Sequence, residues 1–491
     1  MTPFGKRALL VAFVGGTIVA GYAMPVGLHL RLAGAAAAIS LTIVALFVQS
    51  KTPIAGLALL LVTGVLAPLE FSRGAAVFNV CVLLAAFLCG AFFLHLSISR
   101  RRIALDGSRV VIATLVFVAV AITSFVVGQY PWFPTAHAPM TAQVGGLGVF
   151  LLSGGLFLVV GHQIATSRQL QRLTWVFVGS GALAVVTSLV STFDFNLGPI
   201  TISNASSIGS AFWTWLVAIS LAQALFNRDL STPMRVAVGG VAACAMARGL
   251  LVTFSWASGW LPPLVAVGVV LLFRFPRCTI ASCLLVVTPA LLYGGPALNA
   301  WMAAESYSST TRFEALRVMW QVVQHNPWLG FGPANYYHYT VLFPIMGWWV
   351  RFSSHNNYID LIGQTGLIGL LAFGWFVVEV LRLALTLRPR VPRGFESAYL
   401  VGAIAGLAGS LVSGLLADWI VPFTYNIGIR GFRSSLLFWF FLGGVLSLKR
   451  IASATPRLTA ARTDFAAGRS SSDRSEISPF AQSPASVVRV R

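Results

Sequence analysis

A succession of uncharged apolar runs, each long enough to cross roughly 30 Å of hydrocarbon as a helix, decides most of what this chain can fold into. Val110 to Val127 and Val144 to Ile164 are two of them, and Val265 to Phe273 with its flanks is a third. Lipid admits only helices and closed barrels, because no water is there to satisfy exposed backbone groups. Barrel strands would alternate polar and apolar residues. These runs are continuous, so they read as helices. The balance of the 491 residues agrees, with 57% hydrophobic and only 9% charged and a mean hydropathy of +0.83, far from that of a soluble domain.

The formal charge of +20 is the kind of balance that marks many nucleic-acid binders, but its placement excludes that class. The basic residues sit in short clusters between apolar runs: Lys6 and Arg7, Lys51, Arg100 to Arg102 with Arg109, Arg168 and Arg172, Arg228 and Arg235, Arg274 and Arg277, then Arg388, Arg390 and Arg393. They recur at every second connection, and short loops rich in Lys and Arg stay cytoplasmic.

The length rule gives an all-α polytopic membrane protein of about fourteen transmembrane helices, near 8–24, 30–48, 54–68, 74–97, 110–128, 144–165, 173–192, 206–226, 236–254, 258–273, 278–295, 362–386, 397–417 and 433–448. Both termini are then cytoplasmic. Arg31, Arg73, Arg312, Arg317, Arg351, Arg430 and Arg433 fall on the far side, and Arg248 falls within a helix. The first run reads as a retained helix and not a cleaved signal, since no small-residue cleavage site is followed by a soluble domain. The five cysteines, Cys81, Cys89, Cys244, Cys278 and Cys283, all lie in predicted helices without zinc-like spacing, and read as packing residues.

The chain divides into membrane helices 1–11 over residues 1–295, a large outer loop over 296–355, helices 12–14 over 356–448, and a Ser, Arg and Ala-rich tail over 449–491. The tail lacks apolar periodicity and is expected to be disordered and cytoplasmic. The large loop is expected to be folded. "STTRFEALRVMWQVVQHNPWLGFGP" reads as an amphipathic helix with a capping box from Thr311 to Glu314 and a stop at Asn326 and Pro327. Phe313, Leu316, Met319, Trp320 and Val323 form one stripe at helical spacing, with Arg312 inside it and Glu314, Arg317 and Gln321 opposite. An arginine turned into protein or lipid must find a partner or an anion; otherwise it snorkels or caps a carbonyl. Trp328, Tyr336, Tyr337, Trp348 and Trp349 suit a segment lying at the membrane interface.

"RFSSHNNYIDLIGQTGLIG" places Arg351, His355 and Asn356 directly before an apolar run. Beside a bilayer, a histidine, an arginine and an inward Arg312 suggest recognition of a phosphate-bearing substrate. Histidine moves protons near neutral pH, and arginine matches phosphate oxygens with two donors. His325 and His338 read as structural hydrogen-bonders, and Asp360 as a group bonding within its own helix.

The order "TRFEALRVMWQVVQHNPWLGFGPANYY" then "SSHNNYIDLIGQTGLIGLLAF" resembles the signature of the O-antigen ligase and polymerase superfamily. That signature is an Arg before a short helix, a P-x-x-G-x-G segment, and H-N opening a helix that ends in G-L-x-G. Here these are Arg312; Pro327, Gly330, Gly332 and Asn335; His355 and Asn356; and Gly366, Leu367 and Gly369. "DWIVPFTYNIGIRGFRSSLLFW" resembles the closing outer loop and last helix of some relatives.

The resemblance implies a GT-C type membrane glycosyltransferase on the periplasmic face of a bacterial inner membrane, working without metal, nucleotide sugar or other cofactor. Its donor would be a glycan on undecaprenyl pyrophosphate, and its acceptor a lipid A core or similar hydroxyl. By carry-over, Arg312 would engage the pyrophosphate and His355 would orient or activate the acceptor hydroxyl, with Arg351 and Asn356 beside them in substrate binding. Many relatives carry T-x-S-R-G at the end of an earlier helix, where this chain reads "TFSWASGW" with Trp256 at the arginine position. Arg248, two turns earlier, either substitutes for it or pairs within the bundle, since an unpaired arginine in a membrane helix costs roughly 2.5 kcal/mol or more. Two other readings stay open: a repeat-unit polymerase on the same carrier, and a lipid-linked glycan transporter, which would line a central path with charge.

Overall fold

The computed structural model describes residues 53–66, 70–73, 76–98, 105–192, 209–252, 254, 256–281 and 306–472. The runs expected at 8–24 and 30–48, and most of 278–295, lie outside the described residues, as does Cys283. The other eleven runs are helices: α1 Pro53–Leu66, α2 Val80–Ile98, α3 Arg109–Val127, α4 Met140–Gln163, α5 Ser167–Thr192, α6 Ser210–Phe226, α7 Thr232–Val252, α8 Ala257–Arg274, α11 Asn357–Leu387, α12 Phe395–Leu416 and α13 Phe432–Ser472. Two more helices, α9 Ser306–Val323 and α10 Tyr336–Tyr339, lie between α8 and α11. Among the described residues, eight helices are long and apolar enough to span a membrane. The protein is an all-α polytopic membrane protein.

Two boundaries and the role of two cysteines differ from the sequence expectation. Residues 76–79 form a strand and not part of α2, in a small antiparallel pair of β1 Glu70–Arg73 with β2 Ala76–Asn79. Asn79 fixes the junction, since its Oδ1 accepts from the Val82 N–H at 2.9 Å while its Nδ2 donates to the Arg430 carbonyl at 3.0 Å. The last helix continues to Ser472, well past the point where a tail without structure was expected; alanine, leucine and arginine in this stretch are strong helix formers. The packing role expected of the cysteines holds for Cys81 and Cys89, which are buried, whereas Cys244 and Cys278 are exposed on their helices.

Inside the bundle, α12 lies between α6 and α8, α11 lies on α3, and α13 lies on α4. The small residues of α12 permit this closeness: an added methyl at Gly406 would meet the Trp215 ring at 2.4 Å, and one at Gly409 the Pro262 carbonyl oxygen at 2.6 Å. At one end, Lys449 holds Asp106 through bonds of 2.8 and 2.9 Å to its two carboxylate oxygens. Burial would raise the Asp106 carboxyl, but the lysine contact prevails and keeps it below the usual carboxylate range.

The other end carries a cap with a hydrophobic core of its own, made of Phe133, Met319, Val322, Val323, Phe331, Tyr336, Tyr339 and Phe423. These come from the α3–α4 connection, α9, the α9–α10 connection, α10 and the α12–α13 connection. Asn335 ties the α3–α4 and α9–α10 connections together. Its Oδ1 accepts from the Ala138 N–H at 3.0 Å, and its Nδ2 donates to the carbonyls of Gly128 at 3.0 Å and Phe331 at 2.9 Å.

Candidate functional site

The Gly-rich segment after α9 is backbone inserted into a broken helix. At Gly366 the chain of α11 leaves helical geometry, with φ 66° and ψ −172°. The break frees carbonyls below it and amides above it, and the segment 327–332 takes up both. Phe331 and Gly332 N–H donate to the carbonyls of Gly363 (3.0 Å) and Gln364 (2.9 Å), while Leu367 and Ile368 N–H donate to those of Pro327 (2.8 Å) and Trp328 (3.1 Å). Where no water is available, such reciprocal pairing is what lets a membrane helix break at all. A side chain at Gly330, φ 63°, would meet the Gly366 nitrogen at 2.7 Å. The P-x-x-G-x-G and G-L-x-G elements are thus two halves of one interlock.

That interlock places the first turns of α11 under the cap and sets the turn before them. Asn356 is the N-cap of α11: its Oδ1 accepts from the N–H of Tyr358 (3.0 Å) and Ile359 (3.3 Å), and its Nδ2 donates to the Leu415 carbonyl at 3.1 Å. Asn357 is buried and clamps the α12–α13 connection, with Oδ1 accepting from the Ile420 and Val421 N–H at 2.7 and 3.1 Å and Nδ2 donating to the Val421 carbonyl at 2.8 Å. Both asparagines, polar though they are in sequence, are spent on structure. His355 is left exposed in a left-handed conformation, φ 50°, which costs a non-glycine residue about 1–2 kcal/mol.

A hollow of about 660 Å³ opens here. Thr311 and Ala315 of α9, Tyr337 of α10, Arg351, Ser353, Ser354 and His355 from the connection to α11, and Tyr425 and Asn426 from the α12–α13 connection line it, with Ile345, Met346, Trp348, Val350 and Phe352 as apolar wall. No acidic side chain among the described residues lines it. Tyr337 and Tyr425 stack at 4.3 Å, and the Tyr425 hydroxyl bonds with His338 Nε2 at 3.1 Å. Burial, helped by the Arg351 charge, lowers the His338 pKa. Burial likewise pushes the Tyr425 hydroxyl up to about 12.

Of the residues singled out in the sequence, Arg351 and His355 line one cavity. Asn356 does not line it, because its side chain is committed to the cap. Arg312 is two turns into α9, one residue from the cavity-lining Thr311; its side chain lies outside the described residues. Arg248 is absent from the lining. It is buried in α7, where its Nε donates to Ser188 Oγ at 2.5 Å and its guanidinium covers the Trp213 ring at 4.7 Å. Trp256 packs edge-on against Trp419.

The α9 face also needs correction. Its buried side is Ala315, Val318, Met319, Val322 and Val323, whereas Phe313, Leu316 and Trp320 of the expected stripe are exposed, Phe313 by 67%. At about 100° per residue, position 312 falls between Met319 and Val323 around the axis, on the buried side. The helix also starts at Ser306, so Thr311 and Glu314 lie in its interior and form no capping box. Arg317 points outward, 72% exposed, and reaches Glu314 at 3.5 Å. Such a pair contributes almost nothing. Arg317→Ala is therefore expected to leave both thermal midpoint and transfer rate within twofold of wild type; a tenfold loss of rate would show that the outward face of α9 takes part in the chemistry.

Two buried carboxylates complete this region: Asp418, unread in the sequence, and Asp360, expected to bond within its own helix. Asp418 Oδ2 accepts from the Phe423 N–H at 2.6 Å and its Oδ1 from Asn426 Nδ2. Burial pushes this carboxyl up to about 6 against those hydrogen bonds. Asp360 accepts at one oxygen from the hydroxyls of Tyr336 and Ser354; it bonds across elements and not within its helix.

Fold and site together define a polytopic helical membrane protein with a basic, aromatic hollow in a cap at one end of the bundle. Residues 241–374, from the second half of α7 through the interlock in α11, match the O-antigen ligase family. That match, over about a quarter of the chain, supports the O-antigen ligase and polymerase superfamily and a membrane glycosyltransferase activity of that general type. No curated protein matches the sequence.

Proposed function

We propose that the protein transfers a finished glycan from undecaprenyl pyrophosphate to a hydroxyl of an acceptor, a lipid A core or similar, on the periplasmic face of a bacterial inner membrane. The observation that carries this reading is the single hollow shared by α9, Arg351 and His355, with no acidic side chain in its described lining. The α9 register adds support, since position 312 falls on the buried side one residue from that hollow. An anionic, lipid-borne donor suits such a cavity; its described lining holds no glycosidase-like pair of carboxylates.

In this reading the acceptor oxygen attacks the anomeric carbon, the bond from that carbon to the pyrophosphate oxygen breaks, and the electron pair leaves with the pyrophosphate. Arg312 and Arg351 neutralise the charge that gathers on the leaving group. His355 bonds the acceptor hydroxyl, orients it, and takes up its proton as the new glycosidic bond forms. Since the leaving group already carries two phosphates, positioning and charge neutralisation do most of the work, without metal or nucleotide sugar. Arg248, held by Ser188 and Trp213, acts in bundle packing and not on the phosphates.

The test is a proteoliposome assay with undecaprenyl-pyrophosphate glycan and, in separate arms, lipid A core or a second carrier-linked repeat unit. Release of undecaprenyl pyrophosphate with the lipid acceptor supports the ligase. Release only with the second repeat unit makes it a polymerase. Flux of intact donor across the bilayer with no product makes it a transporter.

A further inference from the structure

Asp360 is fully buried in the first turn of α11, accepts hydrogen bonds only at one oxygen, and leaves its other oxygen without a hydrogen-bond partner. No ion pair to it is formed among the described residues. Burying a carboxylate this way is costly, so what it stabilises is informative. One bond comes from Tyr336, whose ring stacks on Phe423 at 4.7 Å in the cap core. The other comes from Ser354 Oγ at 2.6 Å, the residue directly before His355.

Ser354 works as a relay. Its hydroxyl donates toward the carboxylate, the nearer acceptor, with the Asn356 carbonyl oxygen at 3.0 Å as the second, and its oxygen accepts from the Asn356 N–H at 3.1 Å. This bond spans His355 and closes a tight turn around it, a geometry serine hydroxyls support. On the far side, Asn356 is fixed by its capping bonds and by the Leu415 carbonyl. His355 thus sits between two anchored neighbours, in a backbone conformation that persists only where its surroundings enforce it.

We propose that Asp360 is a positioning residue for transfer: through Ser354 it fixes the left-handed turn that presents the His355 imidazole to the cavity. The proposal rests on the reading of His355 as the group that meets the acceptor hydroxyl. Asp360 itself does not line the cavity, so it touches no substrate.

Two measurements on the full-length protein in lipid nanodiscs decide it. In hydrogen exchange, Ser354→Ala and Asp360→Ala are expected to speed exchange across 351–357 by about tenfold or more, with α12 unchanged, while Ser354→Thr, which keeps the hydroxyl, restores the wild-type rate. In transfer, the same two variants are expected to lower kcat by about 10–100-fold with KM within twofold, the size of effect that a misplaced group produces, and Ser354→Thr to recover it. Unchanged exchange in folded Ser354→Ala overturns the proposal, as does full kcat in Ser354→Ala when His355→Ala is inactive. If wild-type protein transfers nothing, the functional reading falls by itself, and the exchange result decides the positioning role alone.

Discussion

His355→Ala is expected to lower transfer by about 10²–10⁴-fold, the range for loss of one proton-transferring or orienting group, while folded yield and thermal midpoint stay at wild-type values. The separation of the two effects follows from where the residue sits. Its ring lines the cavity and is exposed, so removing it opens no void in the core. The turn that holds it is made by the backbone and by the side chains of Ser354 and Asn356, which the substitution leaves in place. The rate is read as release of undecaprenyl pyrophosphate in proteoliposomes, with the thermal midpoint taken on the same preparation. A variant keeping more than a tenth of the wild-type rate removes His355 from the chemistry. A variant that loses rate and midpoint together assigns it to folding instead.

How much of this was legible in the sequence depends on what hydrophobicity can and cannot distinguish. Length and continuity of apolar runs found α3 and α4 within a few residues, because a span must be apolar whatever it faces. The same property misled at α9. In lipid the outside of a helix is as apolar as its inside, so Phe313, Leu316 and Trp320 looked like core and are exposed. The length rule starts α11 at 362, since it counts apolar residues and the first turn from Asn357 is polar; the H-N pair of the family signature, with Asn356 as the N-cap, marks the true start. The Asp360, Ser354 and Tyr336 contacts join residues 6 and 24 apart in sequence and have no local signature. Thr311 and Glu314 carry the spacing of a capping box, but that spacing also occurs in helix interiors, and only the fold shows which applies.

The glycines of the family signature read as a pattern without a mechanism, and the mechanism makes the strongest stability prediction. Gly366→Ala is expected to destabilise the protein by roughly 4–8 kcal/mol, enough to abolish folded yield against a total stability of about 5–15 kcal/mol. Backbone near φ 66° and ψ −172° is a region that glycine nearly alone occupies. An added Cβ would meet the Trp328 carbonyl oxygen at 2.1 Å and the Leu329 nitrogen at 2.5 Å, so the inserted segment must withdraw. Withdrawal breaks the four backbone bonds across the break, and no water replaces them within the membrane. It also releases the first turns of α11, which carry Asn357 and Asp360. The measurement is monodisperse yield and thermal midpoint in detergent, with Gly374→Ala as the control. Gly374 lies in the same helix with nothing within 4 Å of an added Cβ, and alanine there favours helix, so its midpoint is expected to match or exceed wild type. Equal midpoints for the two variants would show that the segment 327–332 does not hold the helix open, and the cavity's position would then need another cause.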